Sequence, residues 1–208
     1  MAQRVSARLV KPTMIDLIFG PSVASSVVFI AAAAGFTAIA AQLVVPITPV
    51  PITAQTLAVM IVGLSLGALR AALAMTTYAA LGLSGLPVFS NAQGGADMLT
   101  GTSGGYIVGY IFAAWLIGAL AERGWNKTFW KAAAASVAGS IVIYVCGMLG
   151  IARVLGEAGR DVDLVYVFDI GVAPFIIGAL IKVTIAAALL SYSWRAVLRR
   201  RPRAAEFV

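Results

Sequence analysis

The sequence predicts an all-α integral membrane protein: a bundle of six transmembrane helices with both termini in the cytoplasm. Three observations carry that prediction. Of 208 residues, 61% are hydrophobic and only 11% charged, against about 45–50% and about 25% in a soluble domain. Six apolar runs recur along the chain, most of them near the roughly 20 residues that a spanning helix needs. The Lys and Arg residues gather at the two ends and on alternate loops, as the positive-inside rule requires. Residues 1–208 read as one transmembrane domain.

The first run, Ser22–Val45, follows Arg4, Arg8 and Lys11. It is long enough to span, so it reads as a retained helix rather than a cleaved signal. Small residues recur on it at four-residue spacing: Ala34 and Ala38, then Ala33, Thr37 and Ala41. Such faces let helices approach closely. This one serves either internal packing or the docking of another membrane subunit. Pro46, Pro49 and Pro51 then exclude a smooth helix. The second run, Ala54–Gly67, and the third, Ala68–Leu83, meet at Gly67-Ala68-Leu69-Arg70 and form a tight antiparallel pair. Next comes Gly85–Tyr106, with six glycines and a single acid, Asp97. The fourth, fifth and sixth runs are Gly105–Ala121, Thr128–Leu149 and Pro174–Val197. Between the last two, Ile151–Leu155 reads as a short interfacial helix.

With both termini inside, the inner side holds twelve basic residues: Arg4, Arg8, Lys11, Arg70, Arg123, Lys127, Lys131, Arg195, Arg199, Arg200, Arg201 and Arg203. The outer side holds only Arg153 and Arg160. An odd number of spans would separate the two basic ends, so the bias supports six.

Several function classes fall away. The net charge of +7 sits where membrane anchors belong, which excludes a nucleic-acid interface and makes membrane lipid the surrounding partner. The chain has no histidine and one cysteine, Cys146. That removes Ser/His and Cys/His dyads and most zinc and haem sites, and no cofactor or metal is expected. Gly101-Thr102-Ser103-Gly104-Gly105 lacks the lysine of a phosphate-cradling loop. The chain reads as a non-enzyme that does not hydrolyse nucleotides itself.

The outer loops are the elaborate ones, so a ligand site is expected there. Lys182 lies eight residues past Pro174, about 12 Å into the last helix. A lysine at that depth costs at least about 2.5–3.5 kcal/mol. It either snorkels or meets an anionic or strongly polar ligand. Asp97 is either a solvated loop acid or a pocket partner of Lys182. Asn91 and Gln93 offer donors and acceptors suited to an amide or urea. Gln42 and Gln55 flank the first outer loop, in the site or as interhelical hydrogen bonders. Phe89, Tyr106, Tyr110, Trp115 and Tyr144 are stacking candidates, whereas Trp125 and Trp130 read as interface anchors. Gly94-Gly95 and Gly104-Gly105 read as hinges of a lid folded over the outer pocket.

Three motifs occur together: Pro49-Val50-Pro51-Ile52-Thr53-Ala54-Gln55-Thr56-Leu57; Gly85-Leu86-Pro87-Val88-Phe89, followed by Gly94-Gly95 and Gly101-Thr102-Ser103-Gly104-Gly105-Tyr106; and Pro174–Lys182. This combination resembles the BioY family from about Ala31 to Leu190. The resemblance implies a biotin-binding membrane subunit, or S component, of an energy-coupling factor (ECF) transporter in the bacterial plasma membrane. It implies a six-helix bundle with biotin held near the outer face by Asn91 and Lys182. It also implies docking of the first helix on a transmembrane coupling subunit, with two ATPase subunits driving uptake. The family commonly has an acid three residues before the lysine, where this chain has Ala179. Its usual Gly-Pro-Thr-Gly-Gly-Tyr is Gly-Thr-Ser-Gly-Gly-Tyr here. Asp97 becomes the candidate replacement for that acid. The alternative is an S component for another vitamin or a biotin precursor, or a stand-alone permease.

Overall fold

The computed structural model describes residues 13–20 and 22–200, with side chains as far as Val197. Arg4, Arg8, Lys11, Arg201, Arg203 and the side chains of Arg199 and Arg200 lie outside the described residues. A short helix, α1 (Met14–Phe19), opens the described chain. Thr13 and Asp16 form its capping box, and Asp16 also pairs with Arg70 at 2.7 Å. Helix α2 (Val23–Ala41) starts at a Ser22 cap and stops at Gln42, just before the prolines.

The proline-rich loop is not wholly irregular. Strands β1 (Val44–Val45) and β2 (Ile52–Thr53) pair antiparallel, Val44 with Thr53 and Val45 with Ile52. Apart from these two-residue strands, the regular elements of the described chain are helical, as expected. Helices α3 (Gln55–Leu66) and α4 (Ala68–Leu83) follow as the expected pair. They turn at Gly67, whose φ of +82° suits glycine. The Ala68 amide donates to the Glu122 carboxylate at 2.8 Å, so an acid satisfies an otherwise orphaned donor at the start of α4.

Helix α5 (Asp97–Thr100) is a single turn before α6 (Gly104–Glu122). Helix α7 runs from Phe129 to Glu157, 29 residues without a break. The expected end at Leu149 and the separate helix over Ile151–Leu155 are corrected by this. Gly150 does not end the helix; its Cα faces that of Gly105 on α6, where the two backbones nearly touch. An unexpected helix, α8 (Leu164–Gly171), begins at Asp163, whose side chain accepts the Val165 amide at 3.0 Å. A 3₁₀ turn over Ala173–Phe175 leads into α9 (Ile176–Arg200).

Among the described residues, four stretches are by length and composition apolar enough to cross a bilayer: Val23–Ala41, Gly104–Glu122, Phe129–Glu157 and Leu164–Val197. Helices α3 and α4 are shorter apolar helices. Two hydrophobic clusters hold them together. One fills the space among α2, α4, α6 and α7 around Tyr78, Phe89 and Tyr110. The other lies among α3, α6, α7 and α9 around Met60, Ile117 and Trp194. Helices α3, α6 and α7 contribute to both, which places them at the centre.

The small-residue face of α2 points inward. Ala33, Ala34 and Thr37 are buried, Ala34 with 1% exposure, and Ala38 is half-buried against the same cluster. The Thr37 hydroxyl donates to the Ala33 carbonyl and lies 3.9 Å from the Met75 sulfur of α4. Of the residues expected to dock a partner, Ala33, Ala34 and Thr37 pack inside the bundle and Ala38 lies at its edge. Val27, Val28, Phe36 and Ile39 form the exposed side of α2.

Candidate functional site

The site begins with Lys182, six residues into α9. Its ammonium donates to the Thr53 carbonyl at 2.6 Å and to the Thr56 hydroxyl at 3.0 Å. These acceptors replace part of the hydration that a buried cation loses. An ammonium has three donors, and the third is unengaged among the described residues. Asp97 makes no ion pair with it; among the described residues, ion pairs occur only at Arg70–Asp16 and Arg153–Glu157. Two threonine oxygens, not Asp97, are the partners of Lys182 in this structure.

Gln55 lies beside this lysine and is buried. The Thr53 hydroxyl donates to its Oε1 at 2.7 Å. Its Nε2 donates to the Tyr78 hydroxyl, which donates in turn to the Val88 carbonyl at 3.2 Å. The relay joins the hairpin, α3, α4 and the glycine-rich loop. Phe89 stands edge-on to Tyr78, with ring centroids 5.5 Å apart. It occupies the space that a side chain at Gly82 would fill.

Gln42 grips the same loop with both ends of its amide. Its Nε2 donates to the Phe89 carbonyl and its Oε1 accepts the Ala92 amide, each at 3.0 Å. Asn91 and Ala92 between and beside these contacts have φ of +58° and +56°. That left-handed backbone costs roughly 1–2 kcal/mol for a residue such as alanine, and Gln42 holds it. On the far side, the Tyr106 hydroxyl donates to the Gly171 carbonyl at 2.6 Å. The rings of Tyr106 and Tyr144 lean on Phe175, with centroids 6.0 and 6.2 Å away.

These walls enclose about 530 Å³ of free space, mouth included. Lys182, Thr53, Gln55 and Thr56 line one part of it, and Phe89, Tyr106, Tyr110, Tyr144 and Phe175 supply the aromatic surface. A mostly apolar cleft with a few fixed polar groups is the usual form of a small-molecule site. A second, outer depression of about 600 Å³ is lined by Asn91, Gln93 and Asp97. Pro51, Ser90, Met98 and Ser103 border both spaces and form the partition between them.

Of the residues expected in the pocket, Lys182, Phe89, Tyr106, Gln55 and Tyr144 come together. Asn91, Gln93 and Asp97 do not; they are exposed and belong to the outer depression. Trp115 is 52% exposed on the outside of the bundle and is not part of the cavity wall. The glycines are corrected in part. Gly95 takes a φ of +106°. Gly94, Gly104 and Gly105 instead allow close approach: a Cβ on each would collide with the carbonyl of Leu86, Leu99 or Cys146 respectively. Gly104 and Gly105 therefore seat α6 against α5 and α7, rather than acting as hinges. Thr53, Thr56, Ser90, Ser103 and Phe175 were not singled out from the sequence. The Thr-Ala-Gln-Thr run was the one available signal for the first two.

Fold and site together define a class: an all-helical membrane protein enclosing a small, largely apolar ligand chamber with one cation on its wall. The profile of the BioY family matches residues 8–199, and the chain belongs to that family. The biotin transporter BioY of Thermotoga maritima is 38% identical over 151 residues, 73% of this chain and 85% of its own. The probable biotin transporter BioY of Pyrococcus horikoshii is 32% identical over 166 residues, covering 80% of this chain and 94% of its own. Among solved structures, the crystal structure of the S-component for biotin from an ECF-type ABC transporter matches with a TM-score of 0.72. It is 25% identical, and the match covers 86% of this chain and 93% of that one.

Proposed function

We propose that this chain is the biotin-capturing S component of an ECF-type uptake transporter, and not an enzyme. Its helices make six membrane crossings with both termini in the cytoplasm, so the chamber opens outward. A transmembrane coupling subunit and two ATPase subunits drive uptake. The observation that carries the reading is the chamber wall itself: a lysine with a spare donor, faced by aromatic rings, beneath two folded outer loops. The names of the relatives support the same ligand.

Biotin matches that wall group by group. Its carboxylate suits the Lys182 ammonium in a charge-assisted hydrogen bond. Its apolar bicycle and tail suit Phe89, Tyr106 and Tyr144. Its urea suits the Ser90 and Ser103 hydroxyls at the partition. Ligand entry passes the outer depression, where Asn91 and Asp97 meet it first.

The test is direct. Small molecules released from the purified protein are identified by mass spectrometry, and biotin affinity is measured in detergent. Lys182→Ala is expected to weaken binding at least about tenfold, which is about 1.4 kcal/mol. An unchanged dissociation constant would remove Lys182 from the site. Ala179 and the exposed Asn91 favour including biotin precursors as competitors. Tighter binding of one of them would reassign the substrate.

A further inference from the structure

Outside the ligand chamber, α6 and α7 border an open groove of about 800 Å³. Its walls are Leu99, Val108, Cys146 and Leu149. Its floor is low because Gly105 and Gly150 meet there without side chains; a Cβ on Gly150 would lie 2.9 Å from the Gly105 Cα. Val108 and Leu149 are 40% and 66% exposed, so the groove faces outward from the bundle.

Arg153 closes one end of the groove. Its Nη2 donates to the Thr100 carbonyl at 2.8 Å, which fixes the side chain across the mouth. Glu157 lies 3.6 Å from its Nε, too far for a hydrogen bond, and both side chains are exposed, 49% and 65%. A guanidinium has five N–H donors, so several remain for another acceptor.

The depth of Arg153 follows from the helix. Trp130 is 81% exposed near the other end of α7, beside Lys127 and Lys131, as an interface anchor should be. From Trp130 to Arg153 is about 35 Å at 1.5 Å per residue. The hydrocarbon layer is about 30 Å thick, and about 40–45 Å with headgroups. Arg153 therefore stands at headgroup level, with the apolar groove running from it into the hydrocarbon.

We propose that this groove is a binding site for an anionic glycerophospholipid, one acyl chain lying over the Gly105–Gly150 floor and the phosphate on Arg153. The charge complementarity selects this occupant. A cation with spare donors at headgroup level matches a phosphate, whereas an apolar partner helix offers it no charged acceptor. The site is independent of the biotin chamber, and its test reads lipid rather than biotin.

The full chain is reconstituted with equal amounts of phosphatidylglycerol and phosphatidylcholine, then released for native mass spectrometry. The wild type is expected to retain phosphatidylglycerol over phosphatidylcholine about fivefold, the ratio that one basic side chain supplies at an anionic surface. Arg153→Gln is expected to abolish that preference. Leu149→Trp, which fills the groove from an exposed position, is expected to reduce retention of both lipids. Circular dichroism confirms that each variant is folded. No preference in the wild type, or a preference that survives Arg153→Gln, overturns the proposal. Retention undiminished by Leu149→Trp overturns it as well.

Discussion

Gln42 holds the strained Phe89–Ala92 turn through two hydrogen bonds that no other side chain duplicates among the described residues. Each such bond contributes roughly 0.5–1.5 kcal/mol, and exposure puts these toward the lower end. Gln42→Ala should therefore speed biotin dissociation by about twofold to tenfold, by loosening the loop that carries Phe89 and Ser90. Displacement kinetics with labelled biotin measure this, and an unaltered off-rate would show that the loop is held by other contacts. At this scale the sequence was informative where chemistry was costly. Lys182 stood out because a buried cation needs a reason, and Phe89 and Tyr106 because aromatics sat in a glycine-rich loop. The acceptors of Lys182 did not stand out, since Thr53 and Thr56 lie 129 and 126 positions away and are ordinary residues locally. Asn91 and Asp97 misled for the opposite reason. Their polarity was visible, but the left-handed turn at Asn91 and Ala92 that sets the loop path was not.

Among the elements, α2 shows the limit of pattern reading most clearly. It is apolar on every side, so spacing reveals a small-residue stripe without saying which way it faces. The burial of Ala33, Ala34 and Thr37 against the core decides that. Replacing both Ala34 and Ala38 by leucine should overpack the contact with α4, at about 1–3 kcal/mol for the buried site. The expected result is a lower thermal unfolding temperature in detergent together with weakened biotin binding. A variant of wild-type stability that fails only in uptake would restore the docking reading. The length of α7 turns on Gly150, which follows the apolar run Thr128–Leu149. A glycine ending an apolar run reads as a stop, but this one is a point of contact with Gly105 on another helix. No local signal distinguishes those two uses.

For the molecule as a whole, composition and basic-residue placement were enough to read a helical membrane bundle, because burying 61% hydrophobic residues in 208 leaves few other solutions. The proposed orientation has its own test. In a Cys146→Ala background, a cysteine at exposed Ser84 should react with an impermeant maleimide in intact cells. One at Leu69, 70% exposed, should react only after permeabilisation. The reverse pattern would invert the topology.

The bond from Lys182 to the Thr53 carbonyl has a thermodynamic corollary. One ammonium anchors the hairpin to α9 and also presents its free donor to the chamber. An anion that draws on this ammonium perturbs the hairpin's tether, and a firmly seated hairpin alters the anion's affinity by the same free energy, because linkage is reciprocal. Occupancy of the chamber and order in Val44–Thr53 are therefore coupled variables. On the proposed function, the outer hairpin would report whether the chamber is occupied.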